Sequence, residues 1–390
     1  MGIVLVGSYP LSADCIRGGV ESSVYGLAQA LVAKKHEVDV FDYPRLYGKD
    51  TSERNGLLTI HRYANNGKYN QDATERAKEM FRDIVALHPN VVHLHGTGEL
   101  SLLLYRAINN YGIPVILTVH GLLHEEKKNA LRKHPSLKHL YQYIHQSKIE
   151  FDLLSLASRI IVDTKYVANT INEYYVKGKI SHLPTIDIIP QGINEHFITL
   201  YDKDKKLTKE ILSVGSISKR KGHLYLVEAF EKVCQQIPDA KLVIAGVKSE
   251  PAYYEQLAKR ITASNYKKNI CLLTDLPQEE LYQYYKEATL FALHSEEESQ
   301  GIALVEAMAA GLPVVSTTVG GIPDVVTDEK TGLLSAYSNT GAFAGNILRL
   351  LHSPDLIAAM SIAAHNEAQD YIWDNIAAKI EKVYSTHIFL

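Results

Sequence analysis

Two glutamates, Glu298 and Glu306, carry the clearest chemical signal in the sequence. They lie in "SEEESQGIALVEAMAAGLPVV", residues 295–315, where small and aliphatic residues from Ile302 onward predict a short helix that ends at Gly311. A helix that is apolar on every side is normally buried, and a buried carboxylate without a partner is strongly unfavourable. We therefore expect Glu306 to face a cation, a group of hydrogen-bond donors or a ligand rich in hydroxyl groups.

A second segment carries positive charge. The stretch "VGSISKRKGHLYLVEAF", residues 214–230, reads as a strand, a loop of serine, lysine and arginine, and a helix that starts near Gly222. Cations beside a helix N-terminus form a site for a diphosphate, because the charge and the helix dipole act together. The alternative is an ordinary solvated basic loop.

The elements that must position these loops follow a regular pattern. Short apolar runs alternate with helical patterns, and the runs are continuously apolar, which is typical of parallel strands covered on both faces. The pattern restarts near Ile211 after a lysine-rich stretch, residues 188–210, so we predict two doubly wound α/β domains. Ligands of such sheets bind at the carboxyl ends of the strands, which face each other across a cleft in a pair of this kind. Both glutamates follow the strand "LFALHS" and therefore belong at that cleft.

The composition describes a soluble globular chain. It has 390 residues, 46% of them hydrophobic, and a formal net charge of −3, which argues against wholesale nucleic-acid binding. Cys15, Cys234 and Cys271 make neither a disulfide framework nor a zinc motif, which fits a reducing cytoplasm. The start "MGIVLVGSYP" reads as a buried strand rather than a signal peptide, and no apolar run approaches the length of a membrane span. We expect a cytoplasmic protein with at most peripheral membrane contact.

The motifs together resemble a known family. The segment from Glu298 to Glu306, followed by "AMAAGLPVV" and "GGIPDVV", resembles the E-x7-E signature of family 4 retaining glycosyltransferases of GT-B fold, the glycosyl transferases group 1. Further segments in register cover most of the chain: "GGVESSVYGLAQAL" at 18–31, "TVHG" at 118–121, "IPQGI" at 189–193, "VGSISKRKG" at 214–222 and "TGLL" at 331–334.

The resemblance implies a fold class and a division of the chain. We expect an α/β protein with two Rossmann-like doubly wound parallel-sheet domains facing across a cleft. Residues 1–190 would form the acceptor-side domain and residues 191–370 the donor-binding domain. A C-terminal helix, about 371–390, would cross back to the first domain, and apolar residues at helical spacing support it.

The resemblance also implies roles for the motif residues. Glu298 would hold hydroxyl groups of the donor sugar, Glu306 the ribose diol and Lys221 the diphosphate. His120, at the end of the strand "VILTVH", would reach the donor sugar beside the reacting carbon. The implied catalytic residues are His120, Glu298 and Lys221. The implied donor and nucleotide contacts are Gly18, Gly19, Ser216, Arg220, Lys221, Leu276, Glu298, Ser299, Gln300, Gly301, Ile302 and Glu306.

The physical chemistry of these residues agrees with the implied roles. Carboxylates are acceptors that match the vicinal hydroxyl groups of a hexose or a ribose. Gly301 would let the backbone approach a ligand closely, and the free N–H groups before Ile302 would favour an anion. The alternative interpretation is that "SEEES" forms a solvated acidic loop and that Glu306 belongs to a buried ion pair.

The chain departs from the family pattern in the donor region. Ser216 stands where an arginine is common, so Arg220 is the candidate to replace it. The stretch "LVIAGVKSE" lacks the usual second glycine of its loop, and Thr274 in "LLTDL" stands where glycine is common. Both segments flank the expected base pocket, so the donor is predicted only as UDP- or GDP-linked.

Three other motifs suggest different chemistry. His93 and His95 share one face of a strand, as metal ligands of hydrolases can, but no further ligand set recurs at strand ends. The stretch "GTGELS", residues 96–101, lacks the third glycine of a dinucleotide loop. Asp202 and Asp204 lie in a lysine-rich linker rather than at the end of a strand. We therefore expect no metal site.

The function implied by the resemblance is retaining transfer of a hexose-type sugar from a nucleotide-diphospho-sugar to a hydroxyl acceptor, without a metal or other cofactor. The product would belong to a cell-surface polysaccharide or a glycolipid. A sugar-nucleotide epimerase or hydrolase of the same fold stays open, and so does a non-catalytic sugar-binding protein, although the latter would not need Lys221. Residues 127–148 are locally basic and form either a solvated helical face or a contact with a membrane or an anionic acceptor.

Overall fold

The described part of the protein sorts into two compact units. The computed structural model describes residues 1–12, 16, 18–42, 50–63 and 69–388, with only the backbone of 69–72. The first unit contains Met1–Leu11, Gly18–Gln191 and Trp373–Leu390, and the second is built on Gly192–Ile372. Cys15 lies outside the described residues.

The first unit is built on an eight-stranded sheet. Its strands are β1 (Gly2–Val6), β2 (Glu37–Asp42), β3 (Thr51–Asn55), β4 (Leu58–Arg62), β5 (Val91–His95), β6 (Val115–Val119), β7 (Arg159–Val162) and β8 (Thr185–Ile188). The helices between them are α1 (Gly19–Ala33), α2 (Tyr69–Ala86), α3 (Glu99–Tyr111), α4 (Leu123–Lys133), α5 (Leu137–Leu156) and α6 (Lys165–Val176). The strands lie in the order β3-β4-β2-β1-β5-β6-β7-β8, and all neighbours are parallel except the β3–β4 hairpin.

The strand β1 shows why its sequence is apolar without alternation. Ile3 and Leu5 point into one buried cluster, whereas Val4 and Val6 point into another on the opposite face of the sheet. Successive side chains of a strand alternate between faces, so a strand covered on both sides has no polar positions left.

The second unit is built on a six-stranded parallel sheet. Its strands are β9 (Glu210–Val214), β10 (Lys241–Gly246), β11 (Ile270–Thr274), β12 (Leu290–Leu293), β13 (Val314–Thr317) and β14 (Gly332–Ser335). Its helices are α7 (His196–Thr199), α8 (His223–Gln236), α9 (Pro251–Thr262), α10 (Gln278–Glu287), α11 (Ile302–Ala309), α12 (Ile322–Val325), α13 (Thr340–Leu351) and α14 (Pro354–Ala368), and 3-10 turns lie at Lys219–Lys221, Lys267–Asn269 and Gln369–Tyr371. The strands lie in the order β11-β10-β9-β12-β13-β14.

The last helix, α15 (Trp373–Ile388), belongs to the first unit. Its apolar stripe, which includes Ile376, Ile380 and Tyr384, is buried in the same cluster as the inner face of α1. The two helices approach each other closely at Gly26, where an added Cβ would lie 2.0 Å from Nε1 of Trp373. A side chain larger than hydrogen therefore does not fit at this crossing.

The structure confirms the predicted fold class of two α/β domains built on parallel sheets, and it adds three local details that the sequence analysis does not give. The sequence pattern does not predict the β3–β4 hairpin, because every residue of β3 is exposed, nor β8, whose residues are exposed or half-buried. The helix α1 begins at Gly19, with Gly18 as its N-cap.

A membrane-spanning helix must be both long and apolar. No single helix in the described ranges is long and apolar enough to cross a membrane. Two consecutive helical segments, Thr340–Leu351 and Pro354–Tyr371, would together be long and apolar enough by length and composition alone, but they are bent by 99° relative to each other.

Candidate functional site

The strand order of the second unit marks one place for a ligand. The chain builds outward from β9 through β10 to β11, and then from β12 through β13 to β14 on the other side. The sheet order therefore reverses between the neighbours β9 and β12. In doubly wound sheets a crevice forms outside the carboxyl ends of the strands at such a reversal. The loops that follow β9 and β12 are the basic loop and the glutamate loop found in the sequence.

These two loops contact each other through charged side chains. The ammonium of Lys221, a residue that is 9% exposed, donates a hydrogen bond to the carboxylate of Glu298. Arg220 Nη1 lies 3.3 Å from the second oxygen of that carboxylate and donates to the backbone carbonyl of Glu297 at 2.9 Å. The structure therefore brings together Lys221, Arg220 and Glu298, three residues that the sequence predicts as contacts of the donor. Both basic side chains contact the one buried carboxylate.

Backbone and hydroxyl groups hold Glu298 in place. Ser295 Oγ donates to its carboxylate at 2.8 Å, and the backbone N–H of Gly321 donates to its carbonyl at 2.9 Å. A Cβ at Gly320 would lie 2.0 Å from that carbonyl oxygen, so only glycine permits this approach. The backbone of the "GGIPDVV" motif thus packs against the glutamate loop and holds it in place.

The charges of this cluster follow from burial and proximity. Burial would raise the pKa of Glu298, but Lys221 and Arg220 outweigh it, so the pKa lies below its ordinary value. Burial lowers the pKa of the Lys221 ammonium, and Glu298 opposes that shift. Glu298 is therefore ionised at neutral pH, and two basic side chains contact it. An anion with hydroxyl groups is the ligand that such a cluster matches.

The helix α11 starts directly after this cluster. Gly301 is its N-cap with φ +82°, a left-handed conformation that glycine adopts without strain. Ser299 is half-buried, Gln300 is buried, and Ile302 is half-buried at the first helical position. The loop therefore delivers Glu298 to the cluster and then turns sharply into the helix that carries Glu306.

Glu306 has a hydroxyl partner. Tyr285 on α10 donates from its hydroxyl to Glu306 Oε2 at 3.0 Å, and no described residue forms a salt bridge with this carboxylate. The alternative of a buried ion pair is therefore wrong for the described part of the chain. Burial raises the pKa of Glu306 to about 7, although Tyr285 and the charge of Lys221 oppose the rise. A half-buried carboxylate with one donor keeps acceptor capacity for further hydroxyl groups.

Two further residues assigned to the donor lie nearby in the same unit. Ser216 follows β9 and is half-buried, with its Oγ 3.4 Å from Oγ of Ser218. Leu276 follows β11 and packs, half-buried, against the buried apolar cluster that includes Leu293 and Leu304. Ser216 makes no contact with Glu298 among the described hydrogen bonds, so Arg220 is the second cation at this carboxylate.

His120 lies in the first unit, in a cluster of polar side chains at the carboxyl ends of β5, β6 and β7. His120 Nε2 lies 2.9 Å from His95 Nδ1, and His120 Nδ1 lies 3.6 Å from an oxygen of Asp163. That oxygen also accepts a hydrogen bond of 2.7 Å from Gln191 Nε2. Burial, with its histidine neighbours, lowers the pKa of His95 well below its ordinary value, so that ring is neutral.

The same cluster continues to the last helix. His93 Nδ1 lies 2.7 Å from the hydroxyl of Tyr384, and His93 Nε2 lies 2.6 Å from Oγ1 of Thr118. Burial lowers the pKa of His93 to about 3. These contacts occupy both ring nitrogens of His93 with protein groups. Among the described residues no group of three or more His, Cys, Asp or Glu side chains is arranged to hold a metal ion.

The glycine pair of the first unit lies at the reversal between β1 and β5. Gly18 is the extended N-cap of α1 and Gly19 its first residue, so the pair does not form a loop of its own. A Cβ at Gly18 would meet nothing within 4 Å, whereas one at Gly19 would lie 3.7 Å from Oε1 of Gln191. As far as the described residues of the first unit extend, the N-terminus of α1 is thus open to an approaching group.

Sequence reasoning missed several residues of both clusters. Ser295, Tyr285 and Asp163 contact assigned residues directly, and Gln191 contacts Asp163. Asp163 carried a usable signal, since it is a polar residue directly after the apolar strand "RIIV". Nothing in the sequence marked Tyr285 as a site residue, because a tyrosine on an amphipathic helix is usually part of the core.

The fold, together with the cluster of Lys221, Arg220 and Glu298, defines a class, the two-domain α/β proteins of GT-B fold. Comparisons with known proteins narrow this class to a family. The family model for glycosyl transferases group 1 matches residues 198–367, and the one for Glycosyltransferase Family 4 matches residues 17–196. Together they span both units. The chain therefore belongs to the group 1 glycosyltransferase family.

Two curated relatives share the name D-inositol 3-phosphate glycosyltransferase. The protein of Corynebacterium aurimucosum is 32% identical over 184 residues, which cover 46% of this chain and 43% of the relative. The protein of Segniliparus rotundus is 25% identical over 302 residues, which cover 74% of this chain and 64% of the relative. The chain thus spans less than two thirds of the length of either relative.

Two solved structures show the same fold over the whole chain. Sucrose-phosphate synthase from Thermosynechococcus elongatus has a TM-score of 0.78 at 21% identity, with 99% of this chain and 98% of that chain covered. The Anabaena protein HepE in complex with UDP and glucose has a TM-score of 0.68 at 16% identity, with 99% and 100% covered.

Proposed function

We propose that this protein is a retaining glycosyltransferase that transfers a hexose-type sugar from a UDP- or GDP-linked donor to a hydroxyl acceptor. The observation that carries the proposal is the contact of Lys221 and Arg220 with Glu298 at the β9–β12 reversal. Two cations beside the start of α8 match a diphosphate, and the carboxylate matches the hydroxyl groups of the attached sugar. The loops after β9 and β12 thus offer one partner to the diphosphate and another to the sugar of a nucleotide-diphospho-sugar.

Each part of the donor has a partner of suitable chemistry. Lys221 and Arg220 would bind the diphosphate, Glu298 the sugar hydroxyls and Glu306 the ribose diol. Because Glu298 already accepts from both cations, the diphosphate would share them with the carboxylate rather than meet free charges. The carboxylate then fixes the direction in which both cations point. Leu276 and the segment after β10 would border the base.

The chemistry that we propose needs no enzymic nucleophile. The bond between the anomeric carbon and the diphosphate oxygen breaks, and its electron pair leaves with the diphosphate. The acceptor oxygen bonds to the same face of that carbon, and its proton passes to the departing diphosphate. Lys221 and Arg220 would stabilise the growing charge on the phosphate, the largest contribution that a preorganised site can make. These cations would take the place of a metal ion, so the reaction would be metal-independent. His120, with Asp163 and Gln191 behind it, would contact the donor sugar.

The relatives support this proposal through what their names record. The Anabaena structure holds UDP and glucose, and the two curated relatives are glycosyltransferases of an inositol phosphate. We propose a cytoplasmic role in cell-surface polysaccharide or glycolipid synthesis, with the first unit binding a glycan or lipid-linked acceptor. The basic segment 127–148 suits an acceptor held at a membrane surface.

A panel of radiolabelled sugar nucleotides, incubated with and without a lipid extract of cell envelopes, tests the proposal. Transfer of label to a lipid or glycan from one donor is the expected result. Label that returns as an altered sugar nucleotide or as free sugar would instead show an epimerase or a hydrolase. Tight binding of free sugar without turnover of any donor would show a sugar-binding protein.

A further inference from the structure

The first half of α5 exposes an unusual apolar surface. Leu137, Leu140, Tyr141 and Ile144 are 87%, 41%, 64% and 57% exposed. Their spacing of three and four residues places them along one side of the helix. We call these four residues the α5 stripe. Single exposed apolar residues need no explanation, but a continuous stripe of large ones is typical of an interaction site.

The second half of the same helix behaves in the ordinary way. Ser147, Ile149, Glu150, Leu153 and Leu154 are buried in the first unit. Glu150 accepts hydrogen bonds from the backbone N–H groups of Leu123 and His124 at 3.0 and 2.7 Å, which ties α5 to the start of α4. The stripe is therefore held on a fixed helix, and its exposure follows from the position of that helix.

The segment that carries the stripe contains charges of one sign. Residues 127–148 contain six lysines and arginines and no aspartate or glutamate, in a chain whose net charge is −3. Lys128 is paired with Glu125 at 2.8 Å, whereas Lys138 and Lys148 are exposed on α5 itself. Lysine side chains beside apolar residues can extend toward phosphate groups while their stems cover the apolar surface. A patch of this kind matches a surface that is negative outside and apolar beneath.

We propose that the α5 stripe and its flanking lysines dock this protein on an anionic lipid bilayer. The apolar side chains would insert at the boundary of headgroups and acyl chains, and the lysines would bind the lipid phosphates. Insertion needs no change of fold, because the stripe is already exposed. The use of this contact, which is to bring the first unit to a lipid-held acceptor, rests on the proposed function. Docking on the bilayer does not depend on the proposed function.

Co-sedimentation of the full chain with lipid vesicles tests the proposal without any sugar nucleotide. Vesicles of phosphatidylcholine alone are compared with vesicles of equal parts phosphatidylcholine and phosphatidylglycerol. The bound fraction should rise at least about tenfold on the anionic vesicles and fall again at high salt. Because no donor is present, a failure here is distinct from a failure of the proposed transferase activity.

Variants separate insertion from simple charge attraction. Leu137→Ser with Ile144→Ser should reduce binding to anionic vesicles at least about tenfold, because both the apolar and the charged parts are needed. Val176→Ser, a matched change at a residue that is 83% exposed on α6, should leave binding unchanged. Equal binding by the stripe variant and the wild type would overturn the proposal, and so would absence of wild-type binding to the anionic vesicles.

A second copy of the chain is the competing occupant of this surface. Sedimentation velocity of the wild type and the stripe variant distinguishes the two. A monomer in both cases supports the membrane assignment. A wild-type dimer that the stripe variant converts to a monomer would overturn the proposal, since the stripe would then be covered by protein.

Discussion

Lys221 and Glu298, 77 positions apart in the sequence, form a hydrogen-bonded ion pair at the point where the second sheet reverses its strand order. The pair joins the loop after β9 to the loop after β12, so each loop helps to fix the other. Arg220 adds a second cation at 3.3 Å from the same carboxylate. The arrangement presents positive charge and hydroxyl acceptors side by side, which is what a nucleotide-diphospho-sugar requires.

The pair should contribute to the stability of the second unit. Removing one partner of a buried ion pair costs about 3–5 kcal/mol, and the lower end applies here because Arg220 still reaches Glu298 when Lys221 is replaced. Lys221→Met and Glu298→Gln should each destabilise the protein in urea unfolding. The double variant should be more stable than the sum of both losses predicts, by about 1–3 kcal/mol. Strict additivity would show that the contact contributes nothing.

Nucleotide binding should depend on pH through Glu306. Burial raises the pKa of this carboxylate to about 7, and the ionised form is the one that accepts two hydroxyl groups. Affinity for the cognate nucleotide should fall as the pH drops below about 7, by at most about tenfold per pH unit. Glu306→Gln should bind more weakly at neutral pH and lose this dependence. Calorimetric titration measures both, and a pH profile that is identical in wild type and variant would remove Glu306 from the site.

The raised pKa of Glu306 predicts a pH dependence of folding stability that is opposite to that of nucleotide affinity. A carboxyl group whose pKa is raised on folding favours the protonated form in the folded state. Its stabilising contribution is therefore present at low pH and is lost as the pH rises through about 7. The free energy of unfolding of the wild type, relative to Glu306→Gln, should decrease between about pH 5 and pH 8.

Transfer should survive chelation. No metal-ligand cluster of three or more His, Cys, Asp or Glu occurs among the described residues, and in the proposed mechanism Lys221 and Arg220 would take the place of a metal ion. Turnover in excess EDTA should stay within about twofold of the untreated enzyme. Loss of activity that manganese or magnesium restores would instead point to a metal ion held with the donor.

The crossing of α1 and α15 should tolerate no side chain at Gly26. An added Cβ there would lie 2.0 Å from Nε1 of Trp373. Gly26→Ala should destabilise the first unit by about 1–3 kcal/mol, although alanine favours a helix. Gly345→Ala is the matched control, since it lies in α13 with nothing within 4 Å of its added Cβ. Calorimetric melting should show no loss for Gly345→Ala, and equal effects of the two changes would contradict the packing argument.

The sequence predicted those features whose cause is local. Continuous apolar strands and glycine-terminated helices predicted two parallel sheets and a short helix with Glu306 on it. The hairpin at β3 escaped prediction because an exposed edge strand has no apolar pattern. Partners brought together by tertiary packing escaped as well. Tyr285 on α10 meets Glu306 on the next helix, α11, and Tyr384 on the last helix meets His93 on β5, 291 positions earlier in the sequence. The contact of Lys221 with Glu298 required the strand order, which no spacing in the sequence encodes.

The turnover of Lys221→Ala with the donor found in the panel tests the central claim most directly. If Lys221 stabilises the departing diphosphate, the variant should lose on the order of 10² to 10³ in kcat. Lys219→Ala, an exposed lysine of the same turn, should stay within about twofold of wild type and controls for the charge of the loop. Lys221→Ala activity equal to that of Lys219→Ala and wild type would contradict the assignment of the diphosphate to this site.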